Sequence, residues 1–338
     1  MSTPLTGKVM TVLGPVAPEQ LGAVLMHEHC YGDGNVTVEG PTPPERVELL
    51  RAYCAPFLKR LGDYGCHAIC DCSTIPGRAE PWVYKELAQT SGCHIVLATG
   101  FYREAAPDEH RPMGAGIPHR WLDQRVVTDS VDAVADIMIG EFDEGIRGSN
   151  VRPGVIKLAS TRPELTPLEQ KAFRAGVKAQ RRTGLAITTH ATGFSAQAQF
   201  SLLLEAGANP TRVILGHTNS VIAETPWVAR SLAANGATLL PTNLRMDGDP
   251  VGNQRLVDGI RRLFDQGHGD RLVLGLDWAF ENEQGPFIPC TFMPPPPYIY
   301  MFTHTLPRMR EMGLEEAAIE QMLVRNPAPL LALVSPQD

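Results

Sequence analysis

The sequence predicts a (β/α)8 (TIM) barrel, and three observations carry the prediction. Short β-rich apolar runs recur eight times along the chain. Stretches with helical spacing separate them, an alternation that builds a parallel barrel. The ionisable residues at the run ends all fall at the same, C-terminal, end of their runs, where such barrels carry their chemistry.

The runs are Ala23–His27, Cys66–Cys72, His94–Thr99, Gly154–Ala159, Leu185–His190, Arg212–His217, Ala237–Pro241 and Arg271–Leu276. Their continuous apolar character suits strands covered on both faces. A short N-terminal β-hairpin extension is expected ahead of them. Helices are expected over Glu45–Leu61, Glu80–Thr90, Ser130–Gly145, Thr166–Thr183, Ser195–Ala206, Pro226–Asn235 and Gly252–Gln266. Thr166-Pro167-Leu168-Glu169 supplies a cap hydroxyl, a proline at the first helical position and an acid in the first turn. A last helix spans Glu315–Leu333, where Pro327 and Pro329 should break or kink it.

Long Gly- and Pro-rich loops follow the third and eighth runs, Gly100–Arg125 and Glu281–Pro297. An open doubly wound sheet is the alternative architecture, but no GxGxxG follows an early strand. The 338 residues are read as a single barrel domain, 1–338.

A net charge of −7 and the absence of a Lys/Arg stripe disfavour a nucleic-acid partner or an anionic membrane surface. No apolar window of about 18 residues predicts a membrane span. The start, MSTPLTGKVM, has no secretory core. Seven cysteines scattered through apolar segments, with no CxxC pair, point to free thiols in a reducing cytoplasm.

The chemistry concentrates at the strand ends. Strand one ends in His27 and His29, strand four carries Lys157, strands five and six end in His190 and His217, and strand eight ends in Asp277. Alternate residues on a strand share a side, so His27 and His29 can reach one cation while Glu28 points away as a supporting residue. A lysine inside GVIKLA is buried, and burial favours its neutral amine, the form that reacts with CO2 to give a carbamate. The alternative is an ion pair of Lys157 with Asp277. Isolated histidines are more often hydrogen-bonded core or loop residues, and His67, His94, His110, His119, His268 and His304 are assigned to that class. Asp71 is read as satisfying loop amides, and Asp247 as a solvated turn residue.

These residues sit in segments that resemble the phosphotriesterase family of the amidohydrolase superfamily. The similarity runs through LMHEH, DCSTIPGR, ATGFY, GVIKLAS, TTHATG, ILGHTN, LGLDW and MLVRNPAPLL, over nearly the whole chain. It implies a cytoplasmic, homodimeric hydrolase with two divalent metal ions, zinc foremost, with cobalt, manganese or iron as alternatives. His27, His29 and Asp277 would hold the more buried ion and His190 and His217 the more exposed one. Carbamylated Lys157 would bridge them together with the attacking hydroxide, and Asp277 would take up its proton. A mononuclear deaminase of the superfamily is disfavoured by Lys157 and by THATGFSAQAQ, which has no acid after His190. A non-catalytic barrel is disfavoured because all six ligand positions are filled.

Two more residues resemble the lactonase-like branch: Tyr102 in ATGFY, above the metals, and Arg245 in TNLRMDG, in the pocket. Either also has a plainer reading, Tyr102 as a loop cap and Arg245 as the partner of Asp247 or Asp249. Trp278, Phe280 and the Phe287–Tyr300 loop are expected to wall the pocket and to favour a neutral or amphiphilic substrate. The expected reaction is hydrolysis of a lactone or related carboxylic ester, with a phosphotriester or amide as the alternatives.

Overall fold

The structure is a computed structural model, and it describes residues 5–31, 40–104, 122–160, 162–191, 195–281, 288–289 and 295–337. A hairpin of β1 (Val9–Thr11) and β2 (Gly14–Val16) precedes the main sheet. Seven parallel strands follow in chain order: β3 (Ala23–Glu28), β4 (Cys66–Asp71), β5 (His94–Gly100), β6 (Val155–Ala159), β7 (Ala186–His190), β8 (Val213–Gly216) and β9 (Thr238–Leu240). Neighbours in sequence are neighbours in space, with helices between them, which is the expected barrel.

The eighth predicted strand is a correction. Arg271–Leu276 forms no ladder, only a bridge between Leu272 and Leu239. It nevertheless closes the ring. Val273 N–H donates to Leu239 O at 3.1 Å on one side, and Met26 N–H to Leu274 O at 2.9 Å on the other. Ladder pairing fails beyond that point because the amides of Leu276 and Trp278 donate to the Glu28 side chain instead of to backbone carbonyls. Gly275 permits the approach, since a Cβ there would lie 2.7 Å from His27 N. Phe280–Glu281 and Ile288–Pro289 then pair antiparallel.

Residues alternate across the barrel wall. On β6, Val155 packs inside with Val24, Cys70, Val96 and Ile214, while Ile156 and Leu158 pack outward under the helices. This parity carries Lys157 inward, where it is 1% exposed.

Helix boundaries follow the sequence signals closely, as at Pro81–Ser91, Val131–Glu144, Ser195–Glu205 and Pro250–Asp265. At Pro167–Thr183 the capping box forms: Glu169 N–H donates to Thr166 Oγ1 at 3.2 Å and Thr166 N–H to Glu169 Oε2 at 3.0 Å. The C-terminal expectation needs correcting, because Pro327 does not end its helix. Glu316–Glu320 passes through a π-turn, Gln321–Arg325, into Pro327–Leu331. Asn326 N–H reaches five residues back to Gln321 O, and the wider turn accommodates the proline ring and its missing donor. The same device precedes Pro56 (Ala55 to Leu50 O) and Pro307 (Leu306 to Met301 O).

Six cysteines are free and buried, and Cys290 lies outside the described residues. Most of the two long loops lies outside them too, as do His110, His119, Phe287 and Pro294. Among the described residues no helix is long and apolar enough to cross a membrane.

Candidate metal centre

Three donors converge where β3 and the closing segment meet. His27 Nε2 and His29 Nε2 lie 3.3 and 3.2 Å from Asp277 Oδ1. The ligand atoms of these three residues all lie within 4.8 Å of one another. Donors about 2.05 Å from one tetrahedral ion stand about 3.3 Å apart, so the spacing fits a shared cation. The cluster continues sideways. His217 packs against His27 with ring centroids 4.8 Å apart and against His190 at 4.3 Å. Lys157 Nζ lies 2.9 Å from His27 Nε2. All six predicted residues are thus brought to one end of the barrel.

Hydrogen bonds fix which ring nitrogens face the cluster. Ser73 Oγ donates to Tyr31 O, so it accepts from His29 Nδ1, 3.0 Å away, and this turns Nε2 toward Asp277. His217 Nδ1 meets Thr242 Oγ1 at 2.5 Å, while His217 Nε2 is buried with no hydrogen-bond partner. A buried imidazole nitrogen without a partner, on a ring beside His27, His190 and Asp277, suits metal ligation. Gln199 Nε2 donates to His190 O at 2.8 Å and ties that residue's backbone to the following helix.

The electrostatics favour the ligating forms of His27, His190, His217 and Asp277. Burial, reinforced by Lys157, holds His27 well below the usual imidazole range. Burial and His217 do the same to His190, and burial brings His217 down to about 4. For His29, burial acts downward, but the Asp277 hydrogen bond and the charges of Asp277 and Asp71 together raise the group. Burial works against the Asp277 charge, yet His217 and His29 hold it below the usual carboxylate range. Burial lowers Lys157, favouring the neutral amine.

Strained backbone aims these side chains. His217 (φ 56°), Asn243 (φ 51°) and Asp277 (φ 60°) follow three successive barrel segments in the left-handed region. Gly100 (φ 116°) lets β5 close on β6, since a Cβ there would meet Lys157 O at 2.1 Å.

Tyr102 reaches the cluster, its ring edge-on to His190 with centroids 5.4 Å apart. Arg245 Nε donates to Asp247 Oδ1 at 3.0 Å on an exposed turn, the pairing that its plainer reading expects. Asp71 accepts from Cys30 N–H at 2.6 Å and Ser73 N–H at 2.9 Å, the loop amides expected of it. Trp278 corrects the pocket-wall expectation. It is fully buried, stacked on Tyr53 at 5.9 Å and edge-on to Tyr298 at 5.3 Å, and so belongs to the core.

Sequence reasoning missed Asn243, whose Nδ2 donates to Asp277 Oδ2 at 3.3 Å, and also Ser73, Thr242 and Gln199. The available signal for Asn243 was its place just past strand seven, two residues before the arginine that drew attention instead.

Comparison with known proteins agrees with this geometry. Residues 7–331 match the phosphotriesterase family. A phosphotriesterase homology protein of Mycobacterium tuberculosis is 28% identical over 330 residues, 94% of this chain and 95% of that protein. The N-acetyltaurine hydrolase of Homo sapiens is 24% identical, covering 96% and 97%. Among solved structures, an organophosphorus hydrolase variant from Deinococcus radiodurans superposes with a TM-score of 0.78 at 30% identity, covering 98% of each chain. A structure from the engineering of organophosphate hydrolysis on a weak promiscuous lactonase template gives 0.77 at 29%, covering 96% and 99%. The chain belongs to the phosphotriesterase family, a family of hydrolases.

Proposed function

We propose that this chain is a binuclear metal-dependent hydrolase that cleaves a lactone or related carboxylic ester. The supporting observation is the convergence of His27 and His29 Nε2 on Asp277 Oδ1 at 3.3 and 3.2 Å, with His190, His217 and Lys157 packed alongside. In this reading His27, His29 and Asp277 would hold one ion and His190 and His217 the other, with Lys157, as a carbamate, supplying the remaining protein ligand. When bound, the ions supply a Lewis acid for the substrate carbonyl and an acidified water as nucleophile.

The chain's own groups supply the rest. Asp277 Oδ1 faces the two imidazoles, so Oδ2, held by Asn243, is the atom that accepts the proton. Tyr102, beside His190, contacts the substrate. The substrate itself is neutral or amphiphilic, and the active unit is a homodimer in the cytoplasm.

Relatives named for organophosphorus compounds and for N-acetyltaurine make phosphotriesters and N-acyl amides the competing arms of the test. The purified protein, containing about two metal ions per chain, is assayed by kcat/KM on lactones, aryl esters, phosphotriesters and N-acyl amides. Lactones are expected to lead. A clear lead for phosphotriesters or amides refutes the ester assignment, and absence of tightly held divalent metal refutes the hydrolase centre.

A further inference from the structure

Glu28 has no exposed surface, and among the described residues no cation forms an ion pair with it. Its carboxylate instead accepts two backbone amides, Leu276 N–H at Oε1 (2.6 Å) and Trp278 N–H at Oε2 (3.0 Å). These are the two residues that flank Asp277. Asp277 N–H itself donates to His27 O at 2.7 Å, and His29 N–H donates to Trp278 O at 2.8 Å. Residues 27–29 therefore grip residues 276–278 through four hydrogen bonds, two of them made by one side chain.

The grip acts on a conformation that would not persist alone. Asp277 sits at φ 60°, which a residue with a Cβ disfavours, and such a conformation lasts only where the surroundings over-determine it. Two parallel amides facing one carboxyl group do this, because each N–H has its own oxygen and rotation of either peptide loses a buried hydrogen bond.

We infer that Glu28 is the positioning residue of Asp277, so that the His-Glu-His triplet sets all three donors of one ion: His27 and His29 directly, Asp277 through the backbone. The inference rests on the metal-centre reading above and adds to it why a carboxylate is needed between the histidines. Glutamine has the same shape but one acceptor. Its NH2 would face one of the two amide N–H groups, donor against donor. Aspartate keeps both acceptors on a shorter reach.

The test compares wild type, Glu28→Gln and Glu28→Asp, each stripped with chelator and titrated with zinc. The readouts are zinc affinity, the rise in melting temperature on adding zinc, and kcat apart from KM. Glu28→Gln is expected to raise the zinc dissociation constant about 10–100-fold, the scale of lost ligand-orienting contacts. It should shrink the zinc-induced melting shift accordingly and lower kcat more than it raises KM. Glu28→Asp should fall between.

A Glu28→Gln protein that melts lower without metal but binds zinc as tightly as wild type overturns the inference, since that is the signature of a merely structural residue. If Glu28→Gln does not fold, unchanged zinc affinity in Glu28→Asp overturns it equally. Wild type failing to bind zinc refutes the metal centre and this inference together, whereas tight binding by wild type and variant alike refutes this inference alone.

Discussion

Replacing Lys157 by methionine should make the metal-free chain more stable while removing its capacity for two ions. Lys157 is 1% exposed, and its described partner is His27 Nε2 at 2.9 Å, a neutral ring nitrogen rather than a carboxylate. Methionine fills a similar volume without a polar amine to bury. Removing a poorly compensated buried polar group is worth about 1–3 kcal/mol, and about 2 is taken for this amine. With about 2.1 cal/mol/K of unfolding entropy per residue, a 338-residue chain has about 0.7 kcal/mol/K, so the melting temperature rises by about 3 °C. Zinc should invert the order. At a free concentration of about 100 Kd each site adds about 2.7 kcal/mol, or about 4 °C, to wild type only. Thermal melts by circular dichroism, in chelator and in zinc, read both halves, and elemental analysis counts the ions. A methionine variant that melts several degrees below wild type in chelator, or that retains two ions per chain, refutes the reasoning.

Ser73→Ala removes the acceptor that orients His29, and competition with a chromogenic chelator should show metal affinity falling about 10–100-fold. Asn243→Ala frees Asp277 Oδ2 without touching a ligand atom. Steady-state kinetics should give about a tenfold lower kcat at unchanged metal content, the scale of one hydrogen bond to a charged group. Arg212→Met acts far from the cluster, where the buried guanidinium donates to Pro329 O at 2.7 Å and Ala332 O at 2.8 Å. Urea unfolding should report a loss of about 3 kcal/mol for those two bonds, with kcat unchanged.

What the sequence disclosed, and what it hid, divides along physical lines. Seven strands and the helix ends were legible because continuous apolar runs, caps and prolines are local signals. The six donors were legible because parallel strands deliver their C-termini to one end, so His27, His29, Lys157, His190, His217 and Asp277 could be aligned without knowing any contact. The supporting residues act across long chain separations, 44 residues for Ser73 with His29 and 34 for Asn243 with Asp277, and such contacts leave no local pattern. Trp278 was misassigned because its place beside Asp277 suggested the pocket, whereas it packs in the core against Tyr53 and Tyr298. The helix that begins with Met301–Thr305 and continues as Leu306–Glu311 escaped notice because Pro307 reads as a breaker until the preceding π-turn is seen.

The left-handed positions at the barrel mouth also constrain what laboratory evolution can do with this scaffold. A side chain held there costs about 1–2 kcal/mol, and least for Asn, Asp and Gly. A library at position 243 drawn from Asn, Asp, His and Gly therefore samples new chemistry beside Asp277 on an intact backbone, while Val, Ile or Thr would spend the variant's stability before any new substrate could be tested. Glycine at 243 relieves the strain but surrenders the amide, so the most stable member of such a library is not expected to be the fastest.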